Sequence, residues 1–92
     1  MPKTRAHVFV GGRVQGVFFR QETKLLAEEH SVTGWIKNLE DGRVEAVFEG
    51  EADAVNALVE FCRRGPRGAV VTEFHTASEP YIGEFGRFKI TY

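Results

Sequence analysis

The sequence predicts an α+β sandwich of the ferredoxin-like, split βαβ kind: an antiparallel sheet with two helices on one face, in the order βαββαβ plus a short terminal strand. Three observations predict it. Apolar residues alternate with polar ones over 4–10, 43–49 and the last stretch, about 85–91. They recur every three to four positions over 19–29 and 52–64. Glycine, alone or beside proline, marks nearly every boundary between these stretches. With 92 residues, the chain fits one domain over 1–92.

The first strand spans 4–10, with Ala6, Val8 and Val10 on one side and Arg5, His7 and Phe9 on the other. Gly11 and Gly12 are read as its end. A loop over 13–18 leads into a helix over 19–29, whose stripe is Phe19, Thr23, Leu26 with Ala27, and His30. Ser31 and Gly34 bracket the return into a strand over 33–38. Asp41-Gly42 signals a tight hairpin into a strand over 43–49, where Val44, Ala46 and Phe48 oppose Arg43, Glu45 and Glu49. Gly50 is expected to close that strand. Val55, Leu58, Val59 and Cys62 stripe the second helix, over 52–64. Arg63 and Arg64 suit the negative end of its dipole, and Gly65-Pro66 stops it. Two strands, over 70–76 and 85–91, finish the chain. One face of the sheet is expected to be covered by the helices and the other to stay largely open.

Composition narrows the function. Twelve Lys and Arg against thirteen Asp and Glu give a net charge of −1, so there is no bulk attraction to nucleic acid or an anionic membrane. An anion site must therefore be local. The open face would carry His7 and Phe9 but also Glu45, Val47 and Glu49, and those carboxylates would repel RNA. A single cysteine, Cys62, allows no internal disulfide and fits a reducing compartment. The N-terminus has no apolar stretch behind its charges, and no apolar run nears the roughly 20 residues of a membrane span. The expectation is a cytoplasmic, monomeric protein.

The loop from Gly12 to Arg20 carries the chemistry. A helix N-terminus leaves backbone N–H groups unpaired and partly positive, and a strand-to-helix turn can curl them around an anion. Gly16 permits a backbone angle that other residues resist. Arg20 can add a planar fork that matches two phosphate oxygens. Taken alone, this pattern is also that of a glycine turn beside a surface arginine. It is neither a Walker loop nor a dinucleotide fingerprint.

Val10-Gly-Gly-Arg-Val-Gln-Gly-Val-Phe-Phe-Arg20 resembles the signature loop of the acylphosphatase family. Gly34-Trp35-Ile36-Lys37-Asn38, followed by Gly42-Arg43-Val44 and Gly50, resembles that family's second signature. Gly65-Pro66, Gly68-Ala69 and the closing Phe88-Lys89-Ile90-Thr91-Tyr92 are similar to further family segments, so the resemblance covers nearly the whole chain. It implies hydrolysis of an acyl phosphate to carboxylate and inorganic phosphate, without metal or cofactor. It implies that Arg20 and the amides of Gln15, Gly16, Val17, Phe18, Phe19 and Arg20 bind the phosphate, and that Asn38 holds the attacking water. The physiological acyl group stays open.

The chain departs from the family pattern at the end of the first helix. His30 stands where relatives often carry an aliphatic residue, and Ser31 where they often carry glycine. His7, His30 and His75 lack metal-ligand spacing. Cys62 reads as core, Trp35 as a packing anchor, Asp41 as a shaper of the hairpin, and Lys37 as pointing away from the site. Arg13 is a candidate contact at the outer rim. Two other readings compete: a silent anion-binding module on the same fold, and one module of a larger carbamoyl-transferring protein. Since the chain runs from Met1 to a closing strand, it reads as free-standing.

Overall fold

A computed structural model describes residues 2–92. The elements are β1 (Lys3–Arg13), α1 (Phe19–Glu29), β2 (Thr33–Asn38), β3 (Val44–Glu51), α2 (Ala52–Arg64), β4 (Val70–Glu79) and β5 (Phe88–Ile90). They form a five-stranded sheet in the order β4-β1-β3-β2-β5, and both helices pack on it. The core lies between the layers. Val8, Val10, Ile36, Val44, Ala46 and Phe48 come from the strands, and Phe19, Ala27, Val55, Leu58 and Cys62 from the helices. The expected periodicities produce this face, since each buried strand residue is two positions from the next. Among the described residues, no helix is long and apolar enough to cross a membrane.

Four expectations are corrected. First, β1 does not end at Gly11 and Gly12 but continues to Arg13, paired with β4 through a bulge between the two glycines. At Gly12, with φ 118°, a side chain would run into the Val70 carbonyl and the Thr72 backbone N–H, so the absence of a Cβ lets the strands stay together. Second, the sheet is mixed. β5 pairs parallel with β2, Gly34 opposite Phe88 and Ile36 opposite Ile90, while the other pairs are antiparallel. Third, β5 is shorter than expected, while β3 reaches Glu51, past Gly50, and β4 reaches Glu79.

Fourth, the face away from the helices is partly covered, at the end that carries Arg5 and Glu49, while His75 and Ala77 stay exposed. The segment after β4 folds across that end, and Glu49 on β3 is 0% exposed. Its carboxylate accepts the backbone N–H of Ile82 at 2.8 Å and of Gly83 at 3.1 Å, and lies 3.4 Å from Arg5. Arg5 also binds Glu79, at 2.9 Å, and Glu84. His7 bridges Glu79 at 3.0 Å and Glu45 at 2.6 Å. Burial opposes charging of His7, but its bonds to Glu45 and Glu79 outweigh that and raise its pKa.

The end of α1 explains the departure noted at Ser31. The N–H of Val32 reaches back to the Ala27 carbonyl at 2.8 Å and that of Ser31 to Glu28 at 3.2 Å, the pairing of a Schellman cap. Ser31 sits at φ 57°, a left-handed position that glycine adopts without strain. His30, read as part of the stripe, is exposed.

Candidate active site

The bulged end of β1 delivers the chain into residues 14–18 and then into α1. Val14 is fully buried and Phe19 nearly so, which pins both ends of the loop to the core, and Val17 packs against the same cluster. Between these anchors the backbone turns through two left-handed residues. Gly16 is at φ 75°, and a Cβ there would meet nothing within 4 Å, so its requirement is conformational rather than steric. Phe18, the N-cap of α1, is at φ 61° and ψ 24°. For a residue with a Cβ this costs about 1–2 kcal/mol.

The turn leaves a run of unmet donors. From Gln15 through Gln21, no backbone N–H has an acceptor within the described residues; the first N–H of α1 with a partner is that of Glu22, bonded to the Phe18 carbonyl at 3.0 Å. No side chain caps the helix. Such a run at a helix start carries partial positive charge and suits an anion.

These residues border a cavity of about 140 Å³. Gly16, Phe18, Phe19 and Arg20 line it, with Val14 and Gln21. Asn38, at the end of β2, is the one lining residue from elsewhere in the chain. Its side-chain carbonyl is buried and has no hydrogen-bond partner among the described residues. An unmet buried acceptor of this kind costs about 1–3 kcal/mol.

The expected site residues are thus brought together, with two exceptions in detail. Gln15 and Val17 do not line the cavity. Gln15 instead turns its side-chain amide to the hairpin after β2, donating to the Leu39 carbonyl at 2.9 Å and the Arg43 carbonyl at 3.0 Å. This clips the loop to the hairpin that carries Asn38. Arg13 does not line the cavity either. Arg20 lies with its guanidinium 5.2 Å from the ring centre of Tyr92, a cation–π contact. Tyr92 is brought there by the Thr91 N–H, bonded to the Ile36 carbonyl at 2.8 Å. Neither contact was legible in the sequence, because each joins segments far apart in the chain.

The remaining candidates have structural places. Asp41 accepts the Arg43 backbone N–H at 3.1 Å and its guanidinium at 2.8 Å, which lowers its pKa and shapes the hairpin. Lys37 rests over Trp35, 5.4 Å from the ring centre, and does not line the cavity. Burial pushes the Cys62 thiol up to about 12, so it stays protonated. Among the described residues, no group of three or more His, Cys, Asp or Glu side chains is placed to hold a metal ion.

The sequence model of the acylphosphatase family matches residues 6–90. The chain belongs to the acylphosphatase family. An acylphosphatase of Syntrophus aciditrophicus is 52% identical over 88 residues, covering 96% of this chain and 92% of its own. The crystal structure of acylphosphatase from Bacillus subtilis matches with a TM-score of 0.90 at 35% identity, over 97% of this chain and 99% of that one. The crystal structure of T. kodakarensis HypF also matches, with a TM-score of 0.81 at 30% identity. That match covers 97% of this chain but 12% of HypF, so the same fold there is a small part of a longer chain. Acylphosphatases are hydrolases, which groups this chain with enzymes.

Proposed function

We propose that the chain hydrolyses the carboxyl-phosphate bond of small acyl phosphates, with the Arg20 guanidinium and the amides of the loop residues that border the cavity (Gly16, Phe18, Phe19 and Arg20) holding the phosphoryl group and Asn38 orienting the attacking water. One observation carries the assignment of residues: a single cavity gathers Arg20, a loop of unmet N–H donors and an unmet Asn38 carbonyl.

The chemistry follows from those groups. Phosphoryl transfer depends on positioning and on stabilising charge over the equatorial oxygens. Arg20 and the amides supply donors in a fixed arrangement that needs no reorganisation during reaction. The Asn38 carbonyl accepts a hydrogen bond from the water and leaves a lone pair of the water free to attack. The new bond joins water oxygen to phosphorus. The bond from phosphorus to the acyl oxygen breaks, and its electron pair leaves with the carboxylate. The water proton ends on a phosphate oxygen. Because the parent carboxylic acid has a pKa of about 4, the leaving group departs without a general acid. Phosphate monoesters, with alkoxide leaving groups, are poor substrates for such a site.

A silent anion-binding module is the competing reading. An unmet carbonyl beside an anion repels it, whereas a water placed between them satisfies both. Asn38 therefore favours hydrolysis over simple capture. The test follows hydrolysis of benzoyl phosphate by ultraviolet absorbance in the presence of chelator. Wild type is expected to turn over. Arg20→Ala is expected to lose about 10³-fold in kcat/KM with weaker inhibition by inorganic phosphate, and Asn38→Ala about 10²- to 10³-fold, mainly in kcat. Folded wild type that leaves benzoyl phosphate intact would overturn this reading in favour of the silent module.

A further inference from the structure

Phe18 has no structural explanation where it stands. The residue is 71% exposed, so it adds little to the core. Its backbone is left-handed at φ 61°, a conformation that asparagine or glycine adopts at lower cost. A large apolar side chain, held out to solvent on strained backbone at the edge of a functional cavity, points to a ligand contact.

The direction of the reaction says which part of a ligand it would meet. Attack and departure are in line, so the acyl oxygen leaves on the side of phosphorus opposite the water. With the water at Asn38, the leaving side is bordered by loop residues alone, since every other lining residue lies within 14–21. Of these, Val14 and Phe19 are buried, Gly16 has no side chain, Arg20 serves the phosphate, and Gln21 is exposed but polar. That leaves Phe18 as the apolar surface at the mouth. The other exposed aromatic nearby, Tyr92, borders an adjoining groove with Lys37, Asn38 and Leu39 and so stands on the water side.

We propose that the exposed ring of Phe18 is the specificity-determining contact for the departing acyl group, so that the enzyme favours acyl phosphates with an aromatic or bulky apolar acyl part over acetyl phosphate. This rests on the roles given to Arg20 and Asn38 above. Phe18 acts here through its side chain, separately from its backbone N–H.

The test compares kcat/KM for benzoyl phosphate and acetyl phosphate in wild type, Phe18→Asn and Phe18→Leu. Asparagine keeps the left-handed backbone and removes the apolar ring; leucine keeps apolar surface. An aromatic contact of ordinary strength changes the benzoyl-to-acetyl ratio by about two- to tenfold. The ratio is expected to fall by that amount in Phe18→Asn and by less in Phe18→Leu. An unchanged ratio, with wild type active on both substrates, overturns the proposal and leaves the Arg20 and Asn38 reading standing. So does a parallel loss on both substrates, which would assign Phe18 to loop shape alone. Wild type inactive on both removes the reading beneath the proposal and the proposal with it.

Discussion

At residues 15–21 the backbone N–H groups have no acceptor among the described residues, Phe18 is held at φ 61°, and the Asn38 carbonyl is buried with no donor among them. Across the sheet, Glu49 is as buried as any residue in the molecule, yet its carboxylate meets the N–H groups of Ile82 and Gly83 and the guanidinium of Arg5. Both regions are polar and both sit against the core. In one the polar groups are matched within the chain, and in the other they are left for something the chain does not contain. Matched groups hold the fold together, whereas unmatched ones cost stability and persist where a ligand satisfies them.

This contrast can be broken by mutation. Asn38→Ala is expected to lower kcat by about 10²- to 10³-fold while leaving the thermal midpoint unchanged or slightly raised, because it removes an unmet acceptor. Activity assays and calorimetry on one preparation check it, and a large fall in midpoint would erase the distinction between the regions. Glu49→Ala should behave in the opposite way. It takes the shared acceptor from the Ile82 and Gly83 N–H groups and one of three carboxylates from Arg5, which keeps Glu79 and Glu84, and is expected to cost about 1–3 kcal/mol in urea unfolding, with kcat retained by the folded fraction. Loss of hydrogen-exchange protection at Ile82 and Gly83 would accompany it.

Gln15 sharpens the comparison because its side chain is matched while its loop is not. Gln15→Ala removes one of two hydrogen bonds at each of the Leu39 and Arg43 carbonyls, and an expected loss of about 1–2 kcal/mol should come with a fall in kcat of roughly tenfold as the loop and Asn38 lose register. A stability loss with kcat intact would show that the clip serves only the fold. Ser31→Gly relieves a left-handed residue far from the cavity and is expected to stabilise by about 1 kcal/mol with no change in kinetics, measured by denaturant titration.

The smallest effect concerns pH. The raised pKa of His7 means its contribution is full below the unfolded value, about 6.5, and is lost as pH rises through the higher folded value. The pKa of Glu79 is lowered, chiefly by its bond to His7, so its contribution is present above the unfolded glutamate value of about 4.3 and is lost as pH falls through the folded one. Both are in force between those unfolded values. The thermal midpoint of wild type should therefore fall modestly from pH 6 to pH 8.5, and His7→Asn should flatten that dependence. An unaltered slope in the variant would place its origin elsewhere.

How much of this was legible depends on how local each cause is. The bounds of α1 and α2 follow from apolar spacing and from Gly65 at the end of α2, all within a few turns of one another. The loop could be read as an anion site because Gly16, Arg20 and the helix start are neighbours in the chain. Glu49, by contrast, follows an alternating pattern that normally marks a solvent face, and nothing in its own strand announces the segment that covers it.

The sequence by itself determined the two helices, the inward faces of β1 and β3, the hairpin at Asp41-Gly42 and the glycine-led turn before Arg20, since each is set by side-chain period or backbone freedom over a short span. Only the tertiary structure decided the bulge that carries β1 past Gly12, the parallel pairing of β5 with β2, the burial of Glu49, the Gln15 clip and the meeting of Arg20 with Tyr92. Each of these depends on which distant segment arrives as a partner. That choice is made by the packing of the whole chain, where the unmet hydrogen bonds of one segment become the complement of another.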